Sequence, residues 1–304
     1  MSSSNVAQSV RDRLLNRKRK TGENYEALLT RHALERFLYR LSTSSFRNQF
    51  VLKGAYAFLV WEGDLHRPTR DIDFLGFGQP EQLEEAIREI ASTEVPEDGV
   101  EFDPESVEAR PIRDEDEYGG TRIKLDAGIG SAELRLQIDV GFGDAVTPAP
   151  EDISFPSLLD FPTPKVRSYP KAPVVAEKLH GLVVLGIANS RMKDFYDLWY
   201  LSQNFTFQGE LLTEAIQATF DRRETSLPDS SPLSLSEAFA QDNQKQQQWS
   251  AFVQRTRLEE DVPDLQHVID ELGQFLLPPL EAASREKPLS AQWLPPGPWR
   301  SESA

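Results

Sequence analysis

The sequence predicts an α+β fold, a mixed sheet with helices, followed by a helical domain. Three observations carry this. SVEARPIR, GTRIKLDAG and AELRLQIDVGF alternate apolar and polar residues with a period of two, the mark of half-buried strands. FVLKG, AYAFLVWEG and RDIDFLGF read in succession as strand, buried helix and strand. APVVAEKLHGLVVLGI and RMKDFYDLWYLSQ then carry helical periodicity, joined by Ala188, Asn189 and Ser190.

In chain order, residues 5–18 and 24–43 are expected to be helices. The second places Leu28, Leu29, Ala33, Leu34, Phe37, Leu38 and Leu41 three and four apart. The strand, helix, strand unit follows, then PEQLEEAIREIAS, an amphipathic helix opened by Pro80. The three alternating segments come next, separated by turn residues such as Gly119-Gly120 and Gly128. PAPEDISFPSLLDFPTPKVRSYPKAP is proline-rich and is expected to be a surface connection with few regular elements. Segments near 210–220, 233–255 and 262–277 extend the helical part, and the prolines after 277 predict a mobile tail. The expected organisation is therefore an α+β domain over 1–165, a helical domain over 166–277 and a Pro-rich tail over 278–304, with no internal repeat.

Composition narrows the function. The chain has 304 residues, 39% of them hydrophobic, enough for a real core. No apolar run approaches the roughly 20 residues of a membrane span, and MSSSNVAQSVRDRLL has no apolar secretory region, so a cytoplasmic protein with no membrane partner is expected. The absence of cysteine removes disulfides, thiol catalysis and Cys-zinc sites, leaving oxygen-liganded metals. A formal charge of −16 repels nucleic acid as a whole-protein field, but RDRLLNRKRK at 11–20 concentrates six basic residues against one acidic. This local arm is either a solvated helix end or a contact for RNA or a protein partner.

The chemistry centres on RPTRDIDF. Asp71 and Asp73 lie one residue apart on a strand, so both leave the same face while Ile72 and Phe74 enter the core. Two carboxylates that close repel, and a cation between them relieves the repulsion. The pattern departs from that of dehalogenase-like phosphatases, because RPTR rather than an apolar strand precedes Asp71 and Leu75 stands two residues after Asp73. In LRLQIDVGF, Leu134, Leu136, Ile138 and Val140 form one face and Arg135, Gln137 and Asp139 the other. With that strand beside the first, three carboxylates converge into a hard-oxygen site suited to Mg²⁺ and to phosphoryl or nucleotidyl transfer. Gly54 at a strand-to-helix turn allows backbone N–H groups to approach a phosphate. Lys53 beside it, with Arg67, Thr69 and Arg70, is a candidate nucleotide contact, the exposed-loop role being the alternative for the last three. His32, His66, His180 and His267 have no ligand-like partners in the pattern and receive no role.

LKGAYAFL, RPTRDIDF, LQIDVGFGD, AEKLHGLV and RMKDFYDLWYL, in that order between about residues 28 and 202, resemble the AbiEii family of nucleotidyltransferase-like toxins from abortive-infection and type IV toxin-antitoxin systems. The resemblance implies the minimal nucleotidyltransferase fold of the DNA polymerase β superfamily followed by a helical domain. It implies Asp71 and Asp73 as catalytic metal ligands with Asp139 as the third carboxylate, and Lys178 and Asp194 as further catalytic positions. Lys178 falls at the border of an apolar helical stripe formed by Val175, Leu179, Leu182, Val183 and Gly186, where its stem packs while its ammonium reaches a cleft. Asp197 follows Asp194 at i+3, either in the same network or solvated. The activity implied is Mg²⁺-dependent transfer of NMP from an NTP to an acceptor hydroxyl such as a tRNA 3′ end. Growth arrest is the implied outcome and a cognate antitoxin the implied partner. Gly54-Ala55 departs from the usual Gly-Gly or Gly-Ser, so no serine hydroxyl contacts the triphosphate. Modification of a protein side chain, and a non-catalytic nucleotide-binding or antitoxin-binding module of the same fold, are the alternatives.

Overall fold

The computed structural model describes residues 3–112, 120–144, 146–256, 258 and 262–301. Contacts divide the chain into two compact units, Met1–Gly143 with Glu151–Tyr169, and Asp144–Pro150 with Pro170–Ala304.

The first unit contains α1 (Ser3–Thr21), α2 (Tyr25–Thr43), β1 (Phe50–Lys53), α3 (Ala55–Glu62), β2 (Asp71–Gly76) and α4 (Leu83–Ala91). It continues with β3 (Glu101–Ile112), β4 (Gly120–Ile129), β5 (Ala132–Phe142), β6 (Glu151–Ser154) and β7 (Lys165–Ser168). The strands form one seven-stranded sheet in the order β3-β4-β5-β2-β1-β7-β6. β2 runs parallel to β5 and β1 parallel to β7, the other pairs being antiparallel, so the sheet is mixed as the sequence predicts. Alternation sends Ile123, Leu125, Leu136, Ile138, Val140, Ile72 and Phe74 into a core they share with Leu34, Phe37, Leu38 and Leu41 of α2 and Ile87 and Ile90 of α4. The opposite face of β1 and β2 carries the buried Val51 and Leu75 beside polar residues.

The stretch expected as a plain connection supplies two strands. EDIS and KVRS pair as β6 and β7, and β7 adds to the free edge of β1 with Val51 opposite Arg167 and Leu52 opposite Ser168. Prolines flank both but stand inside neither, so each keeps its ladder donors, and Tyr169 N donates to Leu52 O at 2.9 Å. Helix α2 also departs from a simple amphipathic reading, burying Arg31, His32, Glu35, Arg36 and Arg40. Arg40 pairs with Asp98 at 2.7 Å and donates to Val100 O. Glu35 accepts from Leu158 N at 2.9 Å and from Arg31 Nε at 3.3 Å, while Arg31 reaches Asp64 at 3.2 Å. These charges tie loops to the helix; removing one member of such a pair typically costs about 3–5 kcal/mol.

The second unit contains α5 (Lys171–Leu185), α6 (Met192–Asn204), β8 (Phe207–Gln208), α7 (Gly209–Arg222), α8 (Glu237–Ala240), α9 (Asn243–Thr256), α10 (Leu265–Ser284), β9 (Ala291–Trp293) and β10 (Trp299–Ser301). The expectation of a mobile tail over 278–304 fails for its described part. Helix α10 runs on to Ser284 through Pro278 and Pro279, and β9 and β10 join β8 in a three-stranded sheet. The physical reason is a replaced hydrogen bond. Pro279 has no N–H for the carbonyl four residues earlier, Phe275 O, and Trp299 Nε1 donates to that oxygen instead at 3.0 Å. Trp293 is buried, donates to Ser202 O at 2.7 Å and lies 5.0 Å from the Phe275 ring, so the tail is anchored by aromatic packing.

Among the described residues no helix is long and apolar enough to cross a membrane.

Three buried groups contribute to the acid response. Burial, with Arg36 beside it, lowers His32 to about 4, and burial with Arg223 lowers His180 to about 4. Burial raises Glu35 to about 7 against its hydrogen-bond donors. Between pH 6.5 and 4.5 the unfolded chain gains protons on two histidines that the folded chain excludes, while the folded chain gains one on Glu35. The net excess of one proton in the unfolded state means that stability falls as pH falls, by roughly 1.4 kcal/mol per pH unit from these groups. Urea unfolding across that window checks the sign, and Glu35→Gln, which removes the opposing titration, is expected to steepen the slope.

Candidate functional site

The register of the sheet gathers the charged residues. In β2, Ile72 and Phe74 are buried in the core, so Asp71 and Asp73 stand on the other face. Parallel pairing with β5 sets Ile72 opposite Ile138, Asp73 opposite Asp139 and Asp71 opposite Gln137. Asp71, Asp73 and Asp139 each offer an oxygen within 4.8 Å of the others. On the flanking strands Lys53 of β1 is opposite Asp73, and Arg122 of β4 is opposite Asp139. A row Lys53, Asp73, Asp139, Arg122 therefore crosses four strands, with cations outside and carboxylates inside.

Hydrogen bonds orient two of the carboxylates. Thr69 Oγ1 donates to Asp71 Oδ1 at 2.5 Å, so the hydroxyl expected to meet phosphate instead fixes a carboxylate. Arg122 donates to both Asp139 oxygens, Nε to Oδ1 at 2.9 Å and its terminal nitrogen to Oδ2 at 2.7 Å, and Gln137 Nε2 donates to Oδ2 at 3.2 Å. Arg122 does not figure among the sequence candidates. Its signal was available, since alternation in GTRIKLDAG puts it on the polar face with Lys124.

Gly54 makes room for Asp73. Its φ of 68° and ψ of −153° belong to a region that only glycine enters readily, and a Cβ there would lie 2.0 Å from Asp73 Oδ2. Ala55, the first residue of α3, is buried. Lys53 carries its ammonium 5.6 Å from the Tyr169 ring centroid, toward the backbone of Gly141. Arg67 is half-buried and Arg70 exposed in the loop leading to Asp71. The three carboxylates supply only hard oxygen donors, converge from two strands and have space kept open beside Asp73; this set fits a hard divalent cation.

The second unit builds a separate buried cluster on α5 and α6. Lys178 Nζ lies 2.7 Å from Asp194 Oδ1 and 2.8 Å from Asp197 Oδ2, and Arg191 Nε lies 2.7 Å from Asp194 Oδ2. Both aspartates are 1% exposed, Lys178 14%. Burial alone would push the Asp194 carboxyl up, but Lys178 with Arg191 and Lys193 holds it below the usual carboxylate range. Asp197 thus belongs to the network rather than to solvent. Nearby in the chain, Arg223 donates to His180 Nδ1 at 3.2 Å, which leaves His180 Nε2 to carry the proton toward Thr225 Oγ1 at 3.0 Å. With both nitrogens so used, His180 offers Thr225 no base.

The comparisons with known proteins follow the same lines. No curated protein matches the sequence. A crystal structure of an inferred nucleotidyltransferase from H. pylori superposes with a TM-score of 0.50 at 15% identity, covering 87% of this chain and 99% of its own. JHP933 from Helicobacter pylori gives a TM-score of 0.48 at 16% identity, covering 86% and 95%, and adds nothing to the argument at that score. The first likeness speaks for the fold alone. Residues 36–271 match the family described as "Nucleotidyl transferase AbiEii toxin, Type IV TA system", a span that includes Lys53, Asp71, Asp73, Asp139, Lys178, Asp194 and Asp197, and the chain belongs to that family.

Proposed function

We propose that the protein is a cytoplasmic, metal-dependent nucleotidyltransferase toxin that transfers NMP from an NTP to an acceptor hydroxyl, with a tRNA 3′ end as acceptor and growth arrest as outcome. The observation that carries the reading is the convergence of Asp71, Asp73 and Asp139 across the parallel β2 and β5 pair. Asp71 and Asp73, with Asp139, would hold Mg²⁺. When bound, such a cation neutralises phosphate charge and activates the attacking oxygen. Thr69 fixes Asp71, Gly54 admits Asp73, and Lys53 with Arg67 and Arg70 supplies positive charge for the triphosphate. In the second unit Lys178, clamped by Asp194 and Asp197, is a fixed ammonium, and the family resemblance supports a catalytic role for it and for Asp194. The acceptor oxygen attacks the α-phosphorus, the bond to the β-phosphate breaks and pyrophosphate leaves. Catalysis in this scheme is positioning and charge neutralisation rather than covalent work by a side chain. Family membership supports an antitoxin as partner. Incubation of the protein with Mg²⁺, each labelled NTP and total RNA tests the reading. Label on RNA is the expected result, label on protein would favour a side-chain acceptor, and no label would favour a non-catalytic module.

Asp71→Asn and Asp73→Asn are each expected to abolish transfer while leaving the fold intact, because each removes a ligand charge and relieves repulsion. Thermal melting without Mg²⁺ should show equal or raised stability; full activity in either variant removes the metal site.

Gly54→Ala is expected to fail differently. The added methyl must displace Asp73 and the backbone must hold a strained conformation, a cost of about 1–3 kcal/mol. Lower stability together with weakened Mn²⁺ binding by calorimetry is the expected pair of results.

The basic arm divides in two. Arg11 donates to Ser131, Arg13 pairs with Asp160 and Arg17 with Glu23, whereas Lys18, Arg19 and Lys20 are exposed in the last turn of α1. If these three contact RNA, changing them to Gln should weaken binding and lower the salt slope by up to about 2. An unchanged slope in a filter-binding salt series would return them to the role of helix-end charges favoured by the macrodipole.

A further inference from the structure

Arg122 is placed to do more than balance charge. Its guanidinium forms a two-point fork on Asp139, and Gln137, the third donor, is itself held through Oε1 by Lys124 Nζ at 2.6 Å. Both oxygens of Asp139 are thereby engaged within the protein. The Arg122 side chain is 42% exposed and that of Asp139 12%, so the guanidinium has solvent to move into. Charge counting sharpens the point. Three carboxylates against Lys53, Arg122 and Lys124 leave no net charge over this row and the adjoining row of Asp71, Gln137 and Lys124, so a single divalent cation makes the cluster positive.

We propose that Arg122 is a positioning residue that acts as an internal cation on Asp139, making the site take divalent cations in sequence. The first is held by Asp71 and Asp73. The second is held at Asp139 only when Arg122 gives up part of its fork. A guanidinium released there lies beside an arriving triphosphate, which offers it a replacement anion, so substrate binding and the second cation favour each other. This rests on the metal-dependent reading above and deepens it.

Mn²⁺ titration of the full chain, followed through the free Mn²⁺ signal in electron paramagnetic resonance, tests it without any activity readout. The parent is expected to bind one Mn²⁺ and a second at least tenfold more weakly. Arg122→Gln should tighten the second site at least fivefold and the first much less. Arg122→Lys, which keeps the charge but loses the fork, should fall between. Arg110→Gln removes the same charge from the residue opposite Arg122 on β3, without touching Asp139, and should match the parent. Asp139→Asn should abolish the second site. The proposal is overturned if Arg122→Gln superimposes on the parent, if it loses the second site, or if Arg110→Gln shifts it equally. Thermal melting checks folding, and if Arg122→Gln does not fold, Arg122→Lys decides by the same criterion. A parent that binds no Mn²⁺ overturns the metal reading and this proposal together, whereas normal parent binding with unaffected variants overturns this proposal alone.

Discussion

The arrangement of the first unit turns on the repulsion between Asp73 and Asp139, set directly opposite each other on parallel strands with Asp71 two residues away. Like charges in that relation oppose pairing, so the sheet must offset them locally. It does so by strand order. Placing β2 between β1 and β5, and β5 against β4, brings Lys53 and Arg122 to the two ends of the same row. It does so by backbone as well, since Gly54 leaves unfilled the volume that Asp73 Oδ2 needs. A carboxylate cluster kept together by two flanking cations and a missing side chain is poised rather than relaxed. A cation placed among carboxylates so arranged offsets their mutual repulsion.

Period-two alternation was enough to find β3, β4 and β5 and to put Asp71, Asp73 and Asp139 on polar faces, because the core on the other side enforces it. Register was harder. Gly128 was the expected turn residue, but it lies within β4, and the turn is Gly130-Ser131, which sets Ile129 opposite Ala132 and hence Arg122 opposite Asp139. A two-residue turn fixes every pair in a hairpin, so misplacing it hides the partner of a charged residue. β7 escaped because four residues among prolines carry little periodic signal, and the buried charges of α2 because periodicity reports apolar faces and not ion pairs. The tail escaped for a related reason. Proline count argues against a packed element only until another donor satisfies the orphaned carbonyl, and Trp299, distant in sequence from Phe275, is that donor.

The second unit repeats the electrostatic theme with the signs exchanged. At its centre one ammonium, Lys178, serves two buried carboxylates, and Arg191 adds a second cation to Asp194 from a more exposed position. Two buried aspartates without Lys178 would lose the cation that both share and face a larger desolvation penalty, so Lys178 is first a requirement of α5 and α6 packing. The same pairing fixes the ammonium in place. Held by two carboxylates, its side chain has lost most of the rotamer freedom a surface lysine would surrender on binding. The cost of ordering it was met in folding, so an anion meeting a clamped lysine orders less side chain than one meeting a free lysine, against a charge already offset by two carboxylates. Arg70 and the exposed end of α1 have no such preparation. Exposed charges of that kind act on an anion through their field rather than through a fixed contact.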